Sequence, residues 1–112
     1  MAVYVSNIVI EQGCNFDATY QLEDTRTNSF LNLTGSVVKS EIRKTYSSTN
    51  YVSFASTISD PENGKIAISL NPEQTLSLKP GRYVYDVKII SGNKEYKGVE
   101  GSALVRAGVT KQ

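Results

Sequence analysis

The carboxylates are the side chains with the widest chemical range, because they can act as general acids, general bases or calcium ligands. Asp17 and Glu23 lie on the polar side of an alternating segment, and Asp24 begins a polar stretch. A glycosidase needs two carboxylates that frame a cleft, and a chain this small has little room for such a cleft. We therefore interpret these carboxylates as solvated or capping groups and predict that the protein is not an enzyme.

One short segment concentrates oxygen ligands, since Asp60, Glu62 and Asn63 fall within four positions. An EF-hand spaces its ligands over a twelve-residue loop, and that spacing is missing. Pro61 fixes its own φ, and Asn63 followed by Gly64 tolerates positive φ. The pattern favours a tight turn between two strands over a calcium loop.

Cys14 is the only cysteine, and the chain has no histidine. A nucleophilic cysteine needs a neighbouring base, for which histidine is the usual choice. A single cysteine makes neither an intramolecular disulfide nor a thiolate metal site by itself. Without histidine, the commonest proton shuttle and transition-metal ligand are also absent. We predict no catalytic residue, no metal and no cofactor, and we interpret Cys14 as a bystander thiol.

Length and charge limit the remaining classes. The 112 residues fit one domain, 1–112, and 12 basic against 11 acidic residues give a net charge of +1. Bulk charge therefore predicts binding neither to nucleic acid nor to an anionic membrane. Residues 1–7 lack the basic region and apolar core of a secretory signal, and no stretch approaches about 18 apolar residues. We expect a soluble protein, assembled inside a cell, without a small-molecule substrate.

Apolar and polar residues alternate with a period of two along most of the chain, which is typical of half-buried strands. The strand candidates are 3–10, 16–23, 37–44, 51–58, 65–70, 82–90 and 94–105. Their spacing of about ten residues predicts an all-β, antiparallel, immunoglobulin-like β-sandwich of about seven strands. The Cys–Trp–Cys hallmark of antibody domains is absent, so the likeness concerns architecture alone.

Three local features refine this prediction. An irregular step at Ser6–Asn7 indicates a bulge that would bring Val5 onto the same face as Ile8 and Ile10. One short helical turn is predicted at 71–78, where Asn71 can cap and Pro72 suits the first turn. The last two strands should form an antiparallel hairpin across 91–93.

Glycines interrupt the last strand candidate at Gly98 and Gly101. The segment between them is no phosphate loop, because more strand rather than a helix follows it. A glycine inside a strand usually marks a bulge or a close backbone approach. We predict one or the other at these positions.

Seven tyrosines and no tryptophan stand out in the composition. Tyr83 and Tyr85 alternate with polar residues in a strong strand, which predicts that they fill core. Other tyrosines are candidates for surface anchors, because a rigid ring with a hydroxyl suits interfaces. The tail after the last strand is small and too short to build core, so it is expected to lie against a neighbouring subunit. The predicted interface residues are Tyr4, Tyr46, Tyr51, Tyr96, Arg106 and Val109.

Several segments, taken in order, resemble a family of small β-sandwich virion proteins of tailed bacteriophages, some related to the N-terminal domain of baseplate upper proteins. They are Leu31–Gly35, Glu41–Lys44, Gly64–Ile66, Gly81–Asp86, Val99–Gly101 and Arg106–Thr110. The resemblance extends over nearly the whole chain, and its specificity comes from the ordered set rather than from any one piece.

The resemblance implies a structural module that docks onto other virion proteins in a symmetric assembly, often in the tail, baseplate or neck. Its expected location is the virion, after assembly in the host cytoplasm. In longer relatives such a domain precedes a fibre or receptor-binding region, and this sequence stops at Gln112, so an adaptor or connector role is favoured over receptor binding. The alternatives are a capsid-surface decoration protein and a free-standing module that binds carbohydrate or a host protein.

Overall fold

The computed structural model describes residues 4–24 and 29–109. Val3, which begins the first strand candidate, and Thr110, which ends the last resembling segment, lie outside these residues.

Eleven strand segments and two short helical turns make up the described chain. In order they are β1 (Tyr4–Val5), β2 (Ile8–Glu11), β3 (Phe16–Gln21), β4 (Glu23–Asp24), β5 (Ser29–Phe30), β6 (Val37–Arg43), β7 (Tyr51–Ser53), β8 (Ala55–Asp60), a 3₁₀ turn (Pro61–Asn63), β9 (Lys65–Leu70), α1 (Pro72–Ser77), β10 (Gly81–Ser91) and β11 (Lys94–Arg106).

Two sheets form the sandwich. The larger sheet has the order β1-β11-β10-β6-β7, with β2 also beside β11, and the smaller has the order β3-β9-β8. A separate ribbon pairs β4 with β5. A three-stranded sheet faces the larger sheet, in which the last two long strands, β10 and β11, lie beside β6 and β7. This is the immunoglobulin arrangement. The predicted all-β, immunoglobulin-like sandwich with one short helix is therefore confirmed.

Single strand candidates divide where the chain passes between sheets. The candidate 51–58 divides at Phe54, because β7 pairs with β6 in the larger sheet and β8 pairs with β9 in the smaller one. Phe54 is buried at this crossing. The candidate 16–23 divides after Gln21, where Glu23 leaves the sheet to pair with Phe30. Period-two patterning cannot show such a change of partner. The described residues therefore contain more strand segments than the seven that were predicted.

The N-terminal strands depart from the prediction in two ways. Both β1 and β2 pair with β11 in parallel, with Val5 opposite Glu100 and Ile8 opposite Ala103. The register is the same before and after Ser6–Asn7, so this step is an interruption and no bulge. The expected inward position of Val5 is wrong, because an unchanged register leaves Val5 outward and 68% exposed.

Both glycine predictions in β11 are confirmed. The partners of β10 step from Lys97, opposite Lys88, to Val99, opposite Val87, so Gly98 is the extra residue of a bulge. At Gly101 a Cβ atom would lie 1.9 Å from the carbonyl oxygen of Ser6. Only glycine lets the N-terminal edge approach β11 this closely.

The core lies between the sheets and takes its side chains from inward positions of both. Burying an aliphatic or aromatic side chain of this size contributes about 1.5–3 kcal/mol. A hydrogen bond of 2.5 Å between the Ser40 and Ser56 hydroxyls also joins the two sheets. The buried apolar residues are Ile10, Leu22, Leu33, Val38, Ile42, Phe54, Ile66, Ile68, Leu70, Leu78, Tyr85, Val87, Ile89, Val99, Ala103 and Val105.

The connection between β9 and β10 is closed by side-chain hydrogen bonds, of which the sequence predicted the Asn71 cap. Asn71 and Gln74 form a capping box at the start of α1, with bonds of 2.8 and 2.9 Å. Tyr83 then donates its hydroxyl to the Lys79 carbonyl over 2.7 Å. A tyrosine at the start of this strand that bonds to backbone a few residues upstream is the tyrosine corner of immunoglobulin-like domains.

Candidate interaction surfaces

The predicted interface residues do not form one patch. Tyr46 lies in the β6–β7 loop and Tyr51 follows it, Tyr4 lies on the β1 edge and Tyr96 lies near the start of β11. Arg106 and Val109 lie at the other end of β11 and beyond it. Each is exposed at its own place, so the sequence prediction resolves into four separate surfaces.

The first surface surrounds Arg43 at the end of β6. The Arg43 guanidinium stacks 4.7 Å from the centre of the Tyr51 ring and pairs with Glu41 over 2.7 Å. It also donates to the Ser48 carbonyl in the β6–β7 loop, over 2.5 Å. Tyr46, 78% exposed, lies in the same loop. Three partners hold the arginine in place, and Tyr46 and Tyr51 are both exposed near this corner of the larger sheet.

The second surface is the N-terminal edge of the larger sheet. Tyr4, Val5 and Val9 are 53%, 68% and 50% exposed there. The Tyr4 ring packs edge-on against Tyr20, with 5.9 Å between the ring centres. The edge therefore exposes three apolar side chains and is held to the sandwich by an aromatic contact.

The third surface is a small cavity of about 270 Å³ beside Tyr96. Leu31, Leu33 and Ile89 form its apolar wall, and Asn32 and Ser36 add polar groups. Drug-sized ligand pockets usually measure roughly 300–1,000 Å³. The cavity has the mixed lining of a binding pocket but falls just below the usual size.

The fourth surface lies where β11 ends. Arg106 pairs with Glu11 on β2 over 3.4 Å, and its carbonyl accepts from the Gln12 backbone amide over 2.9 Å. Val109 is 96% exposed. Arg106 is therefore tied to the sandwich, whereas the side chain of Val109 contacts mainly solvent.

A further surface was not predicted. The outward positions of β6, β10 and β11 form two rows across the sheet, set by the register Asp86–Glu41, Asp86–Glu100, Lys88–Lys39 and Lys88–Lys97. We call Glu41, Asp86 and Glu100 the acidic row, and Lys39, Lys88 and Lys97 the basic row. A shallow groove of about 430 Å³ follows this face.

Ion pairs connect the two rows. Lys97 connects the rows, since it lies 3.3 Å from Glu100 and 3.7 Å from Asp86. Lys88 lies 3.9 Å from Glu95, which is outside both rows. The hydrogen bond from Lys97 to Glu100 raises the pKa of the lysine above its ordinary value, and the charge of Asp86 raises it further. The lysine is therefore charged at neutral pH.

The sequence indicates that the charged residues of these rows face outward, but it does not indicate that they align. Lys39, Glu41 and Arg43 alternate with buried residues, and so do Asp86 and Lys88, which marks them as outward. Their alignment across strands depends on register, which one sequence does not specify here. The bulge at Gly98 adds to the difficulty, because it shifts Lys97 into line with Lys88.

Little acid–base chemistry is visible in the described chain. Residues 4–24 and 29–109 contain no cluster of three or more metal-ligating side chains. Cys14 is exposed and unpaired, and the same residues contain no helix long and apolar enough to cross a membrane.

The Tyr85 hydroxyl contacts Tyr20 over 2.9 Å and Ser6 over 2.6 Å. Burial and the bond to Tyr20 raise its pKa strongly, so it serves as a neutral hydrogen-bonding group.

Comparison with known proteins supports the fold. No protein family matches the chain, and no curated protein matches it. Among solved structures, Listeria monocytogenes InlP matches with a TM-score of 0.52 and 18% identity, over 90% of this chain and 26% of that chain. The sandwich thus spans about a quarter of InlP.

Two further solved structures are more distant. A family 123 glycoside hydrolase from Clostridium perfringens matches with a TM-score of 0.44 and 13% identity, over 99% of this chain and 24% of that chain. Novel immune-type receptor 11 from Ictalurus punctatus matches with a TM-score of 0.42 and 10% identity, over 100% of this chain and 90% of that chain. None of the three is a bacteriophage virion protein.

Proposed function

We propose that this chain is a structural subunit of a tailed-bacteriophage particle and acts as an adaptor or connector in the tail, baseplate or neck. In this role it works through contacts with other virion proteins, in several copies. The ordered resemblance from Leu31–Gly35 to Arg106–Thr110 supports the proposal. So does the separation of the exposed aromatic residues into several surfaces, since a connector must contact more than one neighbour.

The observation that carries the proposal is the apolar N-terminal edge. Tyr4, Val5 and Val9 are at least half exposed on the edge strand of the larger sheet. An edge strand presents backbone groups that can pair with another chain, and natural proteins usually protect such edges with charge or proline. This edge carries two valines and a tyrosine instead, which suits a strand meant to be covered on assembly.

The position of Val109 agrees with the same role. Its side chain is 96% exposed just beyond the Arg106–Glu11 pair that ends the sandwich. A hydrophobic side chain on a short tail gains little from folding, because it buries almost no surface in the isolated domain. Contact with a neighbouring subunit would bury it.

A capsid-surface decoration protein would use the same kinds of contact, and copy number distinguishes it. A free-standing carbohydrate-binding module is the other candidate, favoured by the cavity beside Tyr96 with Asn32 and Ser36 in its lining. We prefer the structural role because the cavity is small for a ligand site, whereas the N-terminal edge exposes three apolar side chains.

The test is complementation of particles made without the gene. We expect such particles to lack a completed tail in electron micrographs, and purified protein to restore them. The double variant Val5→Lys with Val9→Lys should fold, because both side chains are exposed, but should fail to restore the particles. Thr57→Lys, on an exposed position of β8 in the other sheet, is the matched control and should restore them.

Normal particles in the absence of the gene would contradict the proposal. Specific binding of the purified chain on a sugar array, lost in Tyr96→Ala, would favour the carbohydrate-binding alternative.

A further inference from the structure

The acidic and basic rows place like charges directly opposite one another on neighbouring strands. Glu41 and Glu100 flank Asp86, and Lys39 and Lys97 flank Lys88. Like charges at directly opposed positions of an antiparallel pair destabilise the sheet. The arrangement therefore costs stability in a single molecule unless opposite charges approach from elsewhere.

Intramolecular ion pairs offset this cost only in part. Lys97 contacts both Asp86 and Glu100, and Arg43 contacts Glu41. Lys39 makes no ion pair with any residue in 4–24 or 29–109, and it is exposed. The face thus carries unneutralised positive charge at one end of the basic row.

We propose that a second copy of this chain docks on this face, related to the first by a two-fold axis that runs between the two rows and parallel to them. A half-turn about this axis exchanges the rows. The acidic row of each copy then faces the basic row of the other, with Glu41 over Lys39, Asp86 over Lys88 and Glu100 over Lys97. Self-complementarity of this kind is what a symmetric dimer interface requires.

The positions beyond the charged rows also match under the same rotation. Val84 follows the acidic row at one end, and Ile90 with Val37 follows the basic row at the other. The half-turn brings Val84 over Ile90 of the second copy. Val37, which is 54% exposed, adds apolar surface at the Ile90 end. Apolar contacts therefore flank the charged pairs on both sides.

A different protein would fit this face less well than a second copy. An acidic partner would match the basic row alone, and a basic partner would match the acidic row alone. The two rows lie about 7 Å apart, the distance between successive outward residues on a strand. A partner must therefore carry a basic row and an acidic row at the same separation, and a second copy of this chain carries both.

The size of the face sets the strength of the dimer. Three strands about 4.8 Å apart, with outward residues about 7 Å apart along each, give a face of roughly 15 by 30 Å, on the order of 450 Å². Standard interfaces bury about 800 Å² on each partner. The dimer should therefore be reversible, and because its charges lie near solvent it should weaken as salt is raised. This inference is independent of the proposed role in a virion.

Charge reversal on β6 tests the arrangement with the full-length chain. Lys39→Glu and Glu41→Lys should each weaken self-association, measured by sedimentation equilibrium, at least about tenfold, because each puts two like-charged pairs across the axis. An equal mixture of the two variants should associate as tightly as the wild type, because the reversed side chains then face opposite charges. Asp17→Lys, on an exposed position of β3, is the matched control and should leave association unchanged.

Circular dichroism confirms that each variant is folded before association is measured. A wild-type chain that remains monomeric from micromolar to millimolar concentration would overturn the proposal. So would a Lys39→Glu variant that associates as tightly as the wild type, or a mixture of the two variants that remains monomeric. An equal loss in Asp17→Lys would also overturn it, because the effect would then come from net charge and not from this face.

Discussion

The Tyr85 hydroxyl on β10 donates a hydrogen bond of 2.6 Å to the Ser6 carbonyl, between β1 and β2. It also contacts the Tyr20 hydroxyl on β3 over 2.9 Å. One side chain thus joins the N-terminal edge and both sheets of the sandwich. Tyr85 lies two residues after the tyrosine-corner residue, where antibody domains have their second disulfide cysteine. A hydrogen-bonded tyrosine here connects the sheets without a disulfide.

Tyr85→Phe should therefore destabilise the domain without changing its fold. The variant loses two hydrogen bonds and leaves the Ser6 carbonyl short of a partner, at a cost of about 1–3 kcal/mol. Urea unfolding at neutral pH measures the loss. Tyr83→Phe is a useful comparison, because its hydroxyl bond to Lys79 lies at the surface and should contribute less. Equal losses in the two variants would show that the Tyr85 network has no special role.

The same tyrosine predicts how stability depends on alkaline pH. Burial and the Tyr20 hydroxyl raise the pKa of Tyr85 in the folded state, while in the unfolded chain it stays near 10. A raised folded pKa gives stability that is fully present below about pH 10 and is lost as pH rises above it, because the unfolded state then releases a proton that the folded state retains.

The difference in unfolding free energy between the wild type and Tyr85→Phe should therefore shrink between neutral pH and about pH 11. Urea unfolding of both proteins at each pH measures it. A difference that stays constant across this range would show that Tyr85 titrates alike in both states.

The sequence predicts those features of the fold that are set within a single strand or turn. It does not predict those that depend on how two strands pair. Alternation within 37–44 marks Val38, Ser40 and Ile42 as inward, and all three are buried, because a strand's two faces are set locally. The β10–β11 hairpin was predictable from the short 91–93 turn. Alternation could not place Val5, since the face of an edge strand depends on its register with β11.

The interface surfaces were less predictable for the same reason. Tyr46 and Tyr51 could be selected as exposed aromatics, but the role of Arg43 in holding Tyr51 depends on cross-strand pairing. The acidic and basic rows arise only when β6, β10 and β11 align. Residue types were therefore readable from the sequence, whereas the patterns that they form together were not.

The close approach at Gly101 gives a stability prediction. Gly101→Ala should destabilise the domain by about 2–4 kcal/mol, because a Cβ atom there meets the Ser6 backbone and the N-terminal edge must move away. Gly98→Ala is the matched control in the same strand. The atoms nearest its Cβ belong to the side chains of Ile89 and Leu22, which can shift, so its loss should be smaller. Thermal unfolding compares the two, and a larger loss in Gly98→Ala would contradict this account of the edge.

Ending the chain at Arg106 separates folding from docking. The shortened chain keeps the Arg106–Glu11 ion pair and the Gln12 bond to the Arg106 carbonyl. Its melting temperature should fall by no more than a few degrees, since surface changes usually cost about 0.5 kcal/mol. The same truncation should reduce its incorporation into particles. Unfolding of the shortened chain would place the tail in the core, and unchanged incorporation would remove its docking role.

The copy number of the chain in purified bacteriophage particles tests the central proposal most directly. Quantitative mass spectrometry against a major tail protein should find it in a fixed ratio, as a multiple of three or six for a ring in the tail, baseplate or neck. Hundreds of copies would instead indicate decoration of the capsid. Absence of the chain from purified particles, with free protein remaining in the lysate, would contradict a structural role in the virion.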